Sequence, residues 1–273
     1  MEPASGPEGI LYSCSGEPYV IEAVRSARSS LRHNSLPHVL FASDDAEDAA
    51  IAAENVPGLS VVRFERSPNP YADKIANMRR SPFERTIYLD TDTFVVEQIA
   101  HLLRLLDHYD LAAAYAAGGR GPHDPEVPPA FYELNTGVLA WRAGERMREF
   151  MQVWEETYLA WVESGDPFPV PGEGSRGGRA DQLAFRRCAW ACGVRLYVLA
   201  PEYNFRLEYP TTVGSRVGVI HGRHPDYEGL AARVNAREAP RSWPPPLSPG
   251  AKVRRRMRNA VRALSGQSTT SAS

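Results

Sequence analysis

The first hundred residues alternate short apolar stretches with amphipathic ones, and this alternation limits the fold more than any other feature. "GILYSCS" (9–15), "HVLFAS" (38–43) and "LSVVRFE" (59–65) are strand-length, apolar and bounded by turn-forming residues. Between and after them, "PYVIEAVRSARSSLRHN" (18–34), "DDAEDAAIAAEN" (44–55) and "YADKIANMRR" (71–80) read as helices. Val20, Val24, Ala27 and Leu31 make an apolar stripe in the first. Acids crowd the first turn of the second, where the helix dipole favours them. "RTIYLDTDTFVV" (85–96) is a fourth strand. Strands separated by helices predict an α/β fold, a mostly parallel sheet flanked by helices on both faces. Ligands of such sheets sit at the carboxyl ends of the strands.

The second half is less regular. "DLAAAYA" (110–116), "NTGVLAWR" (135–142), "RLYVLA" (195–200) and "RVGVIHG" (216–222) read as strands. "ERMREFMQVWEETYLAWVES" (145–164) and "ADQLAFRRCAWACG" (180–193) read as helices, with Gly193 placed to end the second. Two long loops rich in Gly and Pro, 117–130 and 164–179, are expected to act as lids. The globular domain is expected over 9–232, a Pro-rich linker over 233–250, and a basic amphipathic helix with a polar tail over 251–273. Val253, Met257, Val261 and Leu264 line one face of 251–266 and arginines cover the rest. This pattern suits an anionic membrane surface and suits equally an acidic face of the protein itself. Sedimentation with anionic vesicles, with and without residues 246–273, separates the two.

A formal net charge of −2 does not equip the chain to coat nucleic acid, and no nucleic-acid partner is expected. Residues 1–9 lack the charged start and apolar core of a signal peptide. No apolar run approaches the roughly 20 residues of a membrane span. The expectation is a cytoplasmic protein, peripheral at a membrane if the basic tail binds one. The cysteines, Cys14, Cys188 and Cys192, are few and odd in number, which favours reduced thiols in the core over disulfides or a metal cluster.

Asp90 and Asp92 stand two apart at the end of a β-branched, apolar run. In an extended strand residues i and i+2 point the same way, so the two carboxylates converge. Their repulsion grows in a low dielectric, and a divalent cation, Mn²⁺ or Mg²⁺, relieves it. D-x-D-x-T has a second reading. It resembles the first motif of haloacid-dehalogenase-type phosphatases, with Asp90 as nucleophile. That chemistry needs a further acidic pair downstream, yet "GDPFPV" (165–170) carries one acid and Asp44–Asp45 lies upstream. That motif also normally opens the first strand of its fold.

Five segments in order, over about residues 9–225, resemble the GT-A-fold glycosyltransferases, and in particular the retaining family that includes glycogenin and bacterial lipooligosaccharide galactosyltransferases. The resemblance implies a nucleotide-diphospho-sugar transferase fold and a donor that is a UDP-hexose. The opening strand would hold base and ribose through Ser13 and Ser15. Lys74 in "YADKIANM" would contact the sugar nucleotide. "YLDTDTFVV" would be the D-x-D, with Asp90 and Asp92 on the metal and Asp90 and Thr91 on the donor. "ELNTGVLAWR" would bring Asn135, Thr136 and Gly137 to the donor sugar, the glycine letting backbone approach a ligand. "ADQLAF" would place Asp181 and Gln182 near the anomeric carbon, as the catalytic pair. "LAPEYNFR" (199–206) is a supporting match, and "VIHGRHP" (219–225) would supply His221 as third metal ligand, with His224 a competitor. The family's closing motif is nearer H-x-x-G-x-x-K-P-W. Its Lys and Trp are missing here, and Arg223 is the substitute expected on the diphosphate. A non-catalytic sugar-nucleotide-binding protein is the second alternative. The acceptor, whether glycan, lipid-linked or small molecule, is not specified by any of these segments.

Overall fold

The computed structural model describes residues 6–116, 124–164 and 180–243. Strands β1 (Gly6–Cys14), β2 (His38–Ser43), β3 (Leu59–Phe64) and β4 (Phe83–Leu89) run parallel, joined by helices α1 (Glu17–Leu31), α2 (Glu47–Glu54) and α3 (Pro70–Arg79). After the short strand β5 (Thr93–Val95) and a 3-10 helix (Ala100–Asp107) come β6 (Leu111–Tyr115) and β7 (Leu134–Arg142). Helices α4 (Glu145–Ser164) and α5 (Ala180–Ala191) then lead to β8 (Leu196–Leu199). The central sheet has seven strands in the order β3-β2-β1-β4-β7-β6-β8. Only β7 breaks the parallel run, pairing antiparallel with both β4 and β6. The sheet is therefore mostly parallel, as the alternation predicts, and mixed, as the GT-A resemblance implies.

Strand periodicity sends alternate side chains to two cores. Ile10, Tyr12 and Leu40 pack with Val20, Ala23 and Ala27 of α1 and Ala50 of α2. Leu11, Val39 and Phe41 face Ile75 and Met78 of α3 and Phe150 and Trp154 of α4. Cys14 and Cys188 are buried and Cys192 is half-buried, all as thiols. Asn69 starts α3 by accepting from the amides of Tyr71 and Ala72, and Gly193 ends α5 at φ 62°, a conformation that suits glycine.

The stretch 85–96 is not one strand. β4 ends at Leu89, residues 90–92 turn, and β5 belongs to a second sheet of order β5-β11-β9. Here β9 is Phe205–Arg206, β10 is Thr211–Val213 and β11 is Val219–His221. The sequence explains the break. The Thr93 amide and hydroxyl both donate to the Asp90 carbonyl, at 3.2 and 2.7 Å, closing a tight turn that no straight strand allows. Asp90 and Asp92 converge because the turn brings them together, not because strand alternation does.

The packed body also continues beyond the expected boundary at 232. Helix α6 (Tyr227–Val234) covers the second sheet, and β12 (Arg241–Trp243) pairs with β10. Of the expected linker, residues 233–243 are thus part of this packed region. The basic helix and tail lie outside the described residues, as do 117–123 and 165–179 of the two expected lids. The described part of the first loop is fastened to α5. Arg187 donates twice to buried Asp124, and Arg186 donates to the carbonyls of Phe131 and Pro128. Among the described residues no helix is long and apolar enough to cross a membrane.

Trp154 locks α4 to α5. It is fully buried, its ring lies 4.9 Å from that of Phe185, and its Nε1 donates to the Asp181 carbonyl at 2.8 Å. Trp154→Ala should cost about 3–5 kcal/mol. Urea unfolding should show a lower midpoint with an unchanged slope.

Candidate active site

The carboxyl ends of β1 and β4 meet the start of β7, and the residues expected in the site gather there. The Asp90 amide donates to the Gly137 carbonyl at 2.8 Å, the last link between β4 and β7. Asp90 Oδ1 accepts from the Tyr88 hydroxyl and from Lys74 Nζ, both at 2.9 Å. Lys74 also reaches Thr136 Oγ1 at 3.2 Å and Asp181 Oδ2 at 3.7 Å. Burial alone would drive the Lys74 pKa down, but the carboxylates of Asp90 and Asp181 outweigh it and raise it. Burial raises the Asp181 pKa, with Lys74 and Thr136 offsetting it in part. Lys74 is therefore buried as a cation between two carboxylates, rather than pointing to open solvent as a free arm for a ligand.

His221 arrives from the second sheet. The pairing of β5 with β11 sets His221 opposite Thr93, next to the turn, and the Gly222 amide donates to the Asp92 carbonyl at 2.9 Å. His221 Nε2 lies 3.2 Å from Asp92 Oδ1 and 3.9 Å from Asp90 Oδ2. One ligand atom from each of Asp90, Asp92 and His221 falls within 4.8 Å of the others. His224 is not in this group; its Nδ1 sits 2.6 Å from the Asp226 carbonyl.

A chain of hydrogen bonds fixes the polarity of this group, and it begins at a backbone N–H whose role cannot invert. Gly137 N–H donates to Asn135 Oδ1 at 3.0 Å. Asn204 Nδ2 donates to the same oxygen at 2.8 Å, so Asn204 Oδ1 is the atom 2.7 Å from His221 Nδ1. Nδ1 must carry the proton in that bond, and Nε2 turns its lone pair toward Asp92. Two acceptors 3.2 Å apart require a cation between them, a proton or a metal ion. Burial works against the Asp92 charge; with a proton in that place His221 is an imidazolium that donates to Asp92, and its charge together with those of Arg223 and Arg206 keeps the Asp92 pKa below the usual carboxylate range. The same chain orients Gln182, whose Oε1 accepts from Asn135 Nδ2 at 2.9 Å, leaving its amide nitrogen as donor.

Gly137 has a reason to be glycine that differs from the expected one. A Cβ there would stand 2.1 Å from His221 Cε1 and 2.7 Å from Asp90 Oδ2. The close approach is to the ligand set itself. Ser13 and Ser15 stand at the end of β1 but face α3. Ser13 accepts from Asn77 Nδ2 at 3.0 Å and Ser15 donates to Asp73 at 2.9 Å. Arg223 is bound bidentately by Glu22, which also accepts from Thr91. Sequence reasoning missed Glu22, Tyr88, Thr93 and Asn204. Asn204 lies in the "LAPEYNFR" segment, so a signal was present there; Glu22 reads as an ordinary solvated helix charge.

The sequence matches no protein-family model and no curated protein. Its fold has counterparts among solved structures. The galactosyltransferase LgtC, solved in complex with donor and acceptor sugar analogs, matches with a TM-score of 0.53 at 13% identity, over 80% of this chain and 87% of that one. An active-site mutant of LgtC matches at 0.54 and 15%, over 83% and 93%. The glycosyltransferase GlyE of Streptococcus pneumoniae TIGR4 matches at 0.51 and 19%, over 74% of this chain and 48% of that one, so this chain spans about half of GlyE. The architecture is that of GT-A glycosyltransferases and resembles LgtC, as the five sequence segments implied.

Asn204→Ala should lower Mn²⁺ affinity about 10- to 100-fold, the usual cost of losing a residue that orients a metal-binding histidine. Gly137→Ala should reduce it at least as much. Electron paramagnetic resonance titration of Mn²⁺ checks both, with circular dichroism as the folding control.

Proposed function

We propose that this chain is a metal-dependent glycosyltransferase. It would move a hexose from a nucleotide sugar, a UDP-hexose by family resemblance, to a glycan, lipid-linked or small-molecule acceptor, with retention of configuration. The observation that carries this reading is the convergence of Asp90, Asp92 and His221 Nε2, with His221 Nδ1 turned to the Asn204 carbonyl oxygen. Charge balance supports it. Asp90, Asp92 and Asp181 stand against the ammonium of Lys74, while Arg223 and Arg206, whose charges also reach Asp92, are themselves paired with Glu22 and Glu208; the excess is negative and suits a divalent cation. Imidazole plus carboxylates is a donor set for Mn²⁺, and Mg²⁺ is the runner-up. Such an ion, held by Asp90, Asp92 and His221, would supply positive charge against a leaving diphosphate.

The chain's own groups have separable tasks. Lys74 holds Asp90 and Asp181 in place and lowers their mutual repulsion. Asp181 Oδ1 is buried without a protein partner among the described residues, and Gln182 presents an amide nitrogen; together they offer an acceptor and a donor to sugar hydroxyls. Gln182 accordingly serves to position the donor sugar. Its carbonyl is engaged by Asn135, which argues against direct stabilisation of a cationic carbon. In the retaining step the anomeric carbon–phosphate oxygen bond breaks, the acceptor oxygen bonds to that carbon from the same face, and its proton leaves with the phosphate.

The phosphatase reading gains no support. Asp90 lies after the fourth strand in chain order, and its oxygens face Lys74, Tyr88 and His221. Calorimetry should show UDP binding that requires Mn²⁺ and is lost in Asp92→Asn. Absence of metal-dependent nucleotide binding, with release of phosphate from phosphomonoesters, would overturn the proposal. Gln182→Ala should lower kcat by about a hundredfold through misplacement of the sugar while donor KM changes little. A change confined to KM would reject that role.

A further inference from the structure

Thr91 and Arg223, both expected on the donor, are held by one carboxylate for which sequence reasoning found no role. Glu22 on α1 accepts from Arg223 Nε at 2.5 Å and Nη2 at 2.9 Å, one to each oxygen, and from Thr91 Oγ1 at 3.3 Å. A guanidinium grips a phosphate with the same two-pronged fork. The fork also stands beside the metal group. Arg223 follows Gly222, whose amide is bonded to Asp92, and its guanidinium lies 5.9 Å over the Tyr19 ring. An anion-binding arrangement next to the candidate metal site is thus filled by the protein's own anion. The Glu22 side chain is 17% exposed and that of Arg223 60%, so the arginine is the partner able to swing away.

We propose that Glu22 is a specificity-determining residue, a resident counter-ion that Arg223 exchanges for the diphosphate of a metal-bound nucleotide. The inference rests on the donor reading above. A weakly charged anion gains too little to break the fork with Glu22. A nucleoside diphosphate beside a divalent cation gains more, because it offers greater charge and a second point of attachment. Exchange lowers the apparent affinity by the fraction of time Arg223 is released, and selects for the full metal–diphosphate unit over single phosphates.

The experiment measures binding of UDP, GDP, ADP, CDP and inorganic pyrophosphate, each with Mn²⁺, to the full chain by calorimetry. The tightest ligand is then carried through Glu22→Gln, Arg223→Ala and the double variant. The expected result has three parts. Arg223→Ala weakens binding about tenfold or more, Glu22→Gln tightens it about tenfold, and Glu22→Gln has less than a twofold effect once Arg223 is gone. A Glu22 that only supports the fold would weaken binding in both backgrounds, and that outcome overturns the exchange alone. So does a Glu22→Gln that leaves affinity unchanged while Arg223→Ala weakens it. An Arg223→Ala variant that binds normally removes Arg223 from the diphosphate and overturns the exchange with it. Binding of none of the five ligands to any variant overturns the donor reading itself.

Discussion

Excess negative charge where β4 ends and β7 begins is the constraint around which the site is arranged. Asp90 lies within reach of Asp92 on one side, and on the other Lys74, a buried cation, bridges it to Asp181. Burying an ammonium is costly unless it is paired, and burying neighbouring carboxylates is costly unless they are neutralised. The two costs offset each other in part here, and the negative charge left over is what the proposed cation would neutralise. Around this centre the fold supplies rigid walls: α3 carries Lys74, α5 carries Asp181 and is bolted to α4 through Trp154, and β7 threads its Gly137 between Asp90 and His221.

The amide chain from Gly137 through Asn135 to Asn204 and Gln182 performs a different task. Side-chain amides can flip, but one anchored on a backbone N–H cannot do so without leaving two donors or two acceptors facing each other. That single anchor sets the tautomer of His221 and the exposed group of Gln182. The proposed metal-binding and sugar-positioning roles are thereby linked through Asn135, a residue that touches neither Asp90 nor Asp92 in this network.

Much of the site was legible in the sequence because its residue types are scarce in their contexts. Two acids following an apolar strand, a histidine on another apolar strand and Asp-Gln at a helix start all stand out, and the fold brings Asp90, Asp92, His221, Asn135, Thr136, Asp181, Gln182 and Lys74 into one network. The partners of Ser13, Ser15 and Arg223 were not legible. Each is a polar group near a strand end or loop, and only packing determines whether it faces a ligand, α3 or Glu22. His224 competed with His221 as a ligand in the sequence, but it lies past the end of β11 and faces Asp226. The break at Asp90 was hidden because the β-branched residues on both sides favour extended backbone, while the hydroxyl bond that makes the turn leaves no periodic signal.

By itself, the sequence determined the α/β class, the places of the principal strands and helices, and the kind of chemistry present, because hydrophobic period and residue type are local properties. The tertiary structure decided which of those residues meet. The pairing of β5 with β11 carries His221 to the D-x-D turn, and the antiparallel insertion of β7 puts Gly137 between them. Those contacts join positions far apart in the chain, and the direction of each hydrogen bond depends on atoms from several strands at once. No local pattern in the sequence can encode such an orientation.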